Sequence, residues 1–397
     1  MTHSHPYLFF SLPKHDDTYT STPWQLAREL AMTNEVIYID HPYNFWEALK
    51  LFFSPKIQWR FRSYFKSMPK EIDGVKIIAT PFVWPTHFLP PGRVHRFFTE
   101  WNERLVASRV NRFLKRSGIQ SVIYVNSFEF YYPRLQHKLN ARISASVYHC
   151  IDPMVKEYTL KHGKALQQLA ASNAEMIITT APALRKQFIE RGFSKVYLVP
   201  NGANFNLFHQ AADERLPIHH AIPTRGKKII GYLGNIERRI DFHLLLMLVE
   251  ALPDFELVMA GPVEANYVPV AVTQHPRIHF IGPVAHGEAP SVVKGFDVAI
   301  IPFLVDEVSE GIYPLKLFEY LAAGKPVVTT NFNPTVLNEL NHVVHVARTA
   351  EQFTNLVAQA SIPSVSADRE KRVTIAQVNT WKERAHLFAQ YIQLHVA

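Results

Sequence analysis

Short apolar runs, rich in β-branched and aromatic residues, recur along this chain and are separated by stretches of helical periodicity. Tyr7–Leu12, Glu35–Asp40, Val75–Ala79, Ser121–Val125, Ser146–His149, Met176–Thr180 and Val196–Val199 read as strands. Between them, Trp24–Ala31, Glu100–Arg116 and Lys164–Asn173 carry apolar residues at helical spacing. Strands that alternate with helices build βαβ units and a parallel sheet covered on both faces. After a polar, proline-containing passage (His209–Lys227) the pattern restarts: Lys228–Leu233, Glu256–Ala260, Arg277–Ile281, Val298–Pro302, Val327–Thr330 and Val343–Val346 form a second strand set. In Asn379–His395, Trp381, Ala385, Phe388 and Ile392 recur at helical spacing. The pattern predicts an α/β protein of two Rossmann-like domains, residues 1–205 and 206–378, followed by a C-terminal helix over 379–397.

Composition agrees with this division. At 397 residues the chain exceeds what one compact core supports, and 27 Phe with 16 Tyr supply material for two. The single cysteine, Cys150, excludes an intramolecular disulfide and suits a reducing cytoplasm. Tyr7–Leu12 is too short, and lacks the basic flank, for a signal peptide, so none is expected. No apolar run reaches bilayer-spanning length. The net charge of +8 is uneven: residues 1–205 hold 26 Lys and Arg against 15 Asp and Glu, whereas the remainder is net acidic. The first half is therefore the part that meets an anionic partner.

The most informative stretch is Glu310-Gly-Ile-Tyr-Pro-Leu-Lys-Leu-Phe-Glu-Tyr-Leu-Ala-Ala-Gly-Lys-Pro-Val-Val328. Pro314 suits a first helical turn, Gly324 a left-handed stop, and Pro326 blocks continuation. Leu315, Phe318 and Ala322 share one face, and Lys316, Glu319 and Tyr320 another. Because the helix follows an apolar strand, its N-terminus falls at the C-terminal edge of a parallel sheet, where α/β proteins bind ligands and where helix ends attract anions. The amides around Gly311, Ile312, Tyr313, Pro314 and Leu315, with Lys316 and a carboxylate at Glu319, describe a nucleotide-diphosphate pocket. The bland reading is an ordinary i,i+3 pair, Lys316 with Glu319, on an exposed helix face.

Other motifs carry weaker signals. Gly231-Tyr-Leu-Gly-Asn-Ile-Glu-Arg-Arg-Ile-Asp241 is a strand, a glycine turn and a helix start. Gly234 and Asn235 admit a ligand close to backbone, and Arg238 and Arg239 match phosphate geometry. The alternative is a solvated turn with Asp241 as a helix cap. Ile281-Gly-Pro-Val284 ends a strand, and Pro283 and Val284 are placed to clamp a base, or form a plain turn. His149 and Asp152 end a first-domain strand as substrate contacts, or as a core histidine and a helix-starting aspartate. Trp46–Lys70 interleaves Lys50, Lys56, Arg60, Arg62, Lys66 and Lys70 with seven aromatics against one acid, Glu47. That mix suits an anionic membrane surface, a single nucleic-acid strand, or an insertion packed on its own domain. Without a nucleic-acid fold signature, nucleic acid ranks below the membrane. No Asp-x-Asp, His-Glu-x-x-His or Gly-x-Ser-x-Gly motif occurs.

Taken together, Val199-Pro-Asn-Gly202 with Phe208, the Gly234–Asp241 turn, Ile278–Val284, Phe296–Pro302, Glu319–Val328 and Trp381 resemble motifs of the GT-B retaining glycosyltransferases of family 4, or group 1. The resemblance is strongest over residues 196–345. It implies two Rossmann-like domains facing a cleft, with the C-terminal helix crossing back onto the first. It implies Glu319 on the nucleotide ribose, and Arg238, Arg239 and Lys316 on the pyrophosphate. The family spaces two glutamates eight positions apart. Here that position is Gly311, and Glu310 stands one residue beyond. The family's N-terminal Gly-Gly loop is replaced by Ser11–Thr22 with His15, Asp16 and Asp17. A Pro-x-Lys ahead of the glutamate resembles transferases of capsule, exopolysaccharide or teichuronic-acid assembly.

The reaction so implied moves a hexosyl unit, with retention, from a nucleotide-diphosphate sugar (UDP favoured) to a hydroxyl of a saccharide or lipid-linked acceptor held by the first domain. No cofactor or metal is expected, and the enzyme is expected in the cytoplasm, peripherally on the inner membrane face through Trp46–Lys70. Two other readings stay open: a nucleotide-sugar epimerase or hydrolase on the same fold, and a non-catalytic polyanion-binding protein.

Overall fold

The computed structural model describes residues 5–17, 21–66, 69–154, 161–223, 226–363 and 365–396. The chain divides into two compact units, Met1–Pro200 with Arg384–Ala397, and Asn201–Glu383.

The first unit is built on eight strands: β1 (Tyr7–Ser11), β2 (Val36–Ile39), β3 (Lys70–Ile72), β4 (Val75–Ile78), β5 (Ser121–Ser127), β6 (Arg142–Cys150), β7 (Met176–Thr179) and β8 (Val196–Leu198). Their spatial order is β3-β4-β2-β1-β5-β6-β7-β8, all parallel except the β3–β4 hairpin. The two-residue alternation of a strand sorts β1 between two cores. Tyr7 and Phe9 join Trp24, Leu26 and Leu30 of the helix Thr22–Ala31, and Phe388 and Ile392 of the C-terminal helix Trp381–Gln393. Leu8 and Phe10 face the other way, onto Val106, Val110 and Leu114 of the long helix Arg93–Arg116. That helix begins seven residues before the periodicity predicts. The β3 strand is an addition to the expected set. Its turn is Asp73-Gly74, both left-handed (φ 51° and 78°), which is the pairing that closes a two-residue hairpin.

The second unit carries β9 (Lys228–Leu233), β10 (Phe255–Ala260), β11 (Ile278–Gly282), β12 (Val298–Ile301), β13 (Val327–Thr330) and β14 (His345–Ala347). They form one parallel sheet in the order β11-β10-β9-β12-β13-β14. The chain winds outward from β9 in one direction and from β12 in the other, so the β9–β12 boundary is a topological switch point, the place where such sheets open a ligand crevice. Gly231 of β9 leaves room for Phe296, just ahead of β12: a Cβ there would lie 2.0 Å from the Phe296 ring. Within this unit, Ala203 pairs with Thr380, and a Cβ on Gly202 would meet the Thr380 carbonyl carbon at 2.5 Å. Gly202 and Ala203 thus pack against the segment that leads into Trp381.

Candidate functional site

Three strands of the second unit end in glycines whose backbones other residues rarely adopt. Gly234, Gly261 and Gly282 follow or close β9, β10 and β11 with φ of 148°, 138° and 75°. They are laced edge to edge: the Gly234 N–H donates to Ala260 O at 2.8 Å, and the Gly261 N–H to Gly282 O at 2.8 Å. A Cβ on Gly261 would lie 2.0 Å from Gly234 O. The result is a rim of bare backbone along the carboxyl end of the sheet.

Across the switch point stands the helix Leu315–Ala322. Pro314 is its cap and Leu315 its first residue. Gly324 ends it at φ 74°, where the Lys325 N–H reaches back to Tyr320 O at 3.0 Å. The face that carries Lys316, Glu319 and Tyr320 turns inward, not to solvent. Tyr320 is fully buried, and its hydroxyl accepts the Leu233 N–H at 2.7 Å, pinning the helix to the end of β9. Lys316 lies half-buried over the rings of Tyr232 (5.2 Å) and Phe303 (5.0 Å). A Cβ on Gly234 would come within 2.9 Å of its Cε, so the glycine also makes room for this cation.

Lys316 and Glu319 are not the exposed surface pair of the bland reading. Both are half-buried, and among the described residues no ion pair within 4 Å joins them. Burial pushes the Glu319 carboxyl up to about 7, against the opposing pull of Lys316. Burial, then the charge of Arg239, brings the Lys316 ammonium down to about 8, while Glu319 and Glu237 act the other way. Two desolvated groups of opposite sign, neither satisfied by a close partner, are a standard mark of a site held ready for a ligand.

The surrounding loops are tied down by side chains that sequence reasoning did not single out. Asn333, fully buried, donates to the carbonyls of Glu310 (3.1 Å) and Ile312 (2.9 Å). Asn201 donates to Tyr313 O at 3.2 Å, and Tyr313 stacks on Phe318 at 5.4 Å. The carbonyls of Glu310, Ile312 and Tyr313 are thereby each held by a side-chain amide. Asn at such positions is hard to identify in advance, because its partners lie 21 to 112 residues away.

The remaining expected residues divide. Arg238 is half-buried, and Arg239 pairs with Glu237 and lies over the Phe303 ring. Their loop is locked to the switch point by Asp241 N–H to Pro302 O (2.8 Å) and Leu304 N–H to Arg239 O (2.7 Å). Asn235 is exposed beside Gly234. The Asp241 carboxylate accepts the Leu244 N–H at 2.9 Å, so it caps the helix Phe242–Ala251 and is spent there. Pro283 is exposed and Val284 half-buried after Gly282. Glu310 is exposed at the end of the short helix Glu307–Glu310, and Gly311 is buried.

In the first unit, His149 is 1% exposed, shares a 2.9 Å hydrogen bond with Ser127 Oγ and packs on Phe388. Burial holds its imidazole down at about 3. It is a core histidine, and the substrate contact expected of it does not fit this placement. Asp152 is exposed just past β6. The basic aromatic segment splits in two. Trp46, Phe52, Phe53 and Phe61 are exposed, whereas Trp59 packs against the core and Arg60 is buried. Arg60 bonds Asp40 at 2.5 Å and grips both oxygens of Asp16 at 2.8 Å, and Asp40 also meets His15 at 2.9 Å. Arg60 is therefore a structural cation, not a surface one. His15, Asp16 and Asp40 are the one group among the described residues spaced for a metal, but the Arg60 guanidinium already supplies the positive charge to both carboxylates. Residues 67–68 and 18–20, and the side chains of Phe65 and Lys66, lie outside the described residues.

Comparison with known proteins follows the same lines. Residues 227–361, all within the second unit, match the family model of the glycosyl transferases group 1. The "Putative teichuronic acid biosynthesis glycosyltransferase TuaH" of Bacillus subtilis (strain 168) is 26% identical over 237 residues, 57% of this chain; the match spans 59% of that relative's length. Among solved structures, sucrose-phosphate synthase from Thermosynechococcus elongatus superposes with a TM-score of 0.67 at 15% identity, covering 98% of this chain and 99% of that one. Anabaena Alr3699/HepE in complex with UDP and glucose gives 0.66 at 12% identity, covering 98% and 100%. The α,α-trehalose 6-phosphate synthase of Burkholderia multivorans gives 0.68 at 12%, covering 98% of each chain. The chain has the two-domain α/β architecture of these proteins, the GT-B fold.

Proposed function

We propose that this chain transfers a hexosyl unit from a UDP-sugar to an acceptor hydroxyl, with retention at the anomeric carbon, as a family 4 glycosyltransferase in the assembly of a cell-surface polysaccharide or glycolipid. The observation that carries the reading is the half-buried Lys316 against the Gly234 turn at the β9–β12 switch point, with the half-buried Glu319 on the same helix. The group 1 match over 227–361 supports it, as do the UDP named for the Anabaena neighbour and the biosynthetic role named for the Bacillus relative.

In this reading Glu319 holds the ribose hydroxyl pair. Lys316, Arg238 and Arg239 stabilise the pyrophosphate as the bond between C1 and the phosphate oxygen breaks, which preorganised charge does best in a site that excludes water. The acceptor oxygen bonds C1 from the same face, and its proton passes to the departing phosphate oxygen. Three cations beside the leaving group make a metal unnecessary. The acceptor belongs to the first unit, whose exposed Phe45, Trp46, Phe52, Phe53, Phe97 and Trp101, with exposed Lys50, Arg62, Arg93 and Arg96, suit an anionic bilayer on the cytoplasmic side. No described helix is long and apolar enough to cross a membrane.

The test is a thermal-shift and hydrolysis screen across UDP-, GDP- and dTDP-sugars, with and without EDTA, on the unmodified chain and Glu319→Ala. A UDP-dependent shift that survives EDTA and is lost in Glu319→Ala is expected. Losing one hydrogen-bonded partner there costs about 1–3 kcal/mol. Equal nucleotide affinity in the variant would remove the ribose role. Release of UDP only when acceptor is present separates transfer from epimerisation or hydrolysis.

A further inference from the structure

The first unit has its own carboxyl sheet edge, and its most organised polar pair is one that neither motif nor spacing announced. His41 follows β2 and Glu129 follows β5, 88 residues apart, yet His41 Nδ1 lies 2.5 Å from Glu129 Oε2. Glu129 is fully buried, and its other oxygen accepts the Tyr131 N–H at 3.1 Å. The turn that presents it is held hard. Asn126 and Glu129 exchange two hydrogen bonds at 2.9 Å, and Phe128 between them sits at φ 58°. A bulky residue in that region costs about 1–3 kcal/mol and persists where the surroundings over-determine it, most often beside a ligand site. Phe10 and Tyr132 flank the imidazole at 6.5 and 6.1 Å. With Nδ1 bonded to Glu129, Nε2 is the ring nitrogen left for a ligand.

His41 lines a cavity of about 230 Å³, together with Asn44, Trp84, Thr86, His87 and Tyr131. That is below the roughly 300–1,000 Å³ of sites for drug-sized ligands. It suits one sugar ring and not a nucleoside diphosphate. One wall is a fixed aromatic plate. Asn102 clamps Trp84 by both backbone groups (3.0 and 2.8 Å), its ring stacks on Phe45 at 6.2 Å, and it is 53% exposed. From Trp84 the rings continue outward through Phe98 to Phe97 and Trp101, the last two exposed. A polar cavity whose rim runs into an exposed aromatic strip matches an amphiphile.

We propose that this cavity is the acceptor site and takes the sugar ring of a glycolipid, with His41 Nε2 bonding a ring hydroxyl, Trp84 stacking on the C–H face and the aromatic strip lying against the lipid. The acceptor role rests on the transferase reading; the saccharide site itself does not. The test uses methyl and octyl glycosides of glucose, galactose, N-acetylglucosamine and glucuronic acid, below micelle concentrations, followed by saturation-transfer NMR. At least one sugar is expected to bind, its octyl form about tenfold or more tighter than its methyl form. His41→Gln, which keeps a donor for Glu129, and Trp84→Ala are each expected to weaken binding tenfold or more while the UDP thermal shift stays. If none of the glycosides binds, or if His41→Gln binds them as well as the unmodified chain, the site is overturned. Equal affinity of octyl and methyl forms overturns the glycolipid assignment. A missing UDP shift in the unmodified chain would remove the transferase reading, and glycoside binding would then decide the saccharide site alone.

Discussion

The two sheet edges of this molecule are prepared in opposite ways. In the second unit, glycines strip the rim to bare backbone, and the charged groups beside it, Lys316 and Glu319, are desolvated without a close partner. In the first unit the charged groups are already satisfied: Arg60 with Asp40 and Asp16, and Glu129 with His41. Burial alone would lower the Arg60 guanidinium's affinity for its proton; the hydrogen bonds to Asp16 and the charge of Asp40 outweigh that and raise it. For Lys316 the upward pull of Glu319 and Glu237 does not offset burial and the charge of Arg239, and it moves down. A buried ion that is paired maintains the fold. One left unpaired is a cost that a bound ligand relieves, which is why activity and stability pull apart at such positions.

The largest effect that separates the edges is therefore expected from Arg60→Met. It leaves Asp40 buried beside an uncharged side chain, and breaking a buried pair costs about 3–5 kcal/mol. Chemical denaturation should show that loss, and an unchanged midpoint would make Arg60 a surface cation after all. Lys316→Met should do the reverse. Removing a desolvated cation leaves stability equal or higher, while turnover of a UDP-sugar falls about 10²–10³-fold, as when one charge-stabilising donor is deleted. A Lys316→Met variant that loses stability yet turns over normally would erase the contrast between the two edges.

A smaller effect carries a definite sign. Glu319 titrates near 7 in the fold against a reference of 4.5. A raised carboxyl pKa favours the folded state while the group is protonated, so its contribution is complete below about 4.5 and is lost as pH rises to about 7. Relative to Glu319→Gln, the unmodified chain should lose up to about 3 kcal/mol across that window. Denaturation curves of the two proteins at pH 4.5 and 7.5 measure it. A difference that stays constant would mean the carboxyl is solvated.

How much of this was legible in the sequence follows from distance along the chain. The strands of the second unit could be read because fully buried parallel strands are apolar runs bounded by turns; Lys228–Leu233 and Val327–Thr330 fall where the pattern puts them. Glu319, Lys316 and Gly234 could be read because helical spacing and a glycine turn are local signals. Asp73-Gly74 was an equally local hairpin signal, and its partner strand Lys70–Ile72 went unnoticed because two of its residues are charged and both are exposed. Tyr320 on Leu233, Asn333 on Ile312 and His41 on Glu129 could not be read at all, since each joins residues that only the fold brings together. Trp46–Lys70 shows the cost of reading composition without geometry. Its cations look equivalent in sequence, yet Arg60 is sealed inside and Lys50 stands in solvent.

That inequality sets the smallest and last prediction. Only exposed cations can meet an anionic surface, and each contributes about 1 kcal/mol that falls away within a Debye length. Replacing Lys50, Arg62, Arg93 and Arg96 singly by Gln should weaken flotation with phosphatidylserine vesicles several-fold per site at low salt and scarcely at all near 1 M. The exposed aromatics, Phe53 above all at 87% exposure, should retain a salt-independent remainder. Equal flotation of the four variants would place the bilayer elsewhere. The +11 imbalance of the first half would then serve the solubility of that half, and the aromatic strip would have to find another partner.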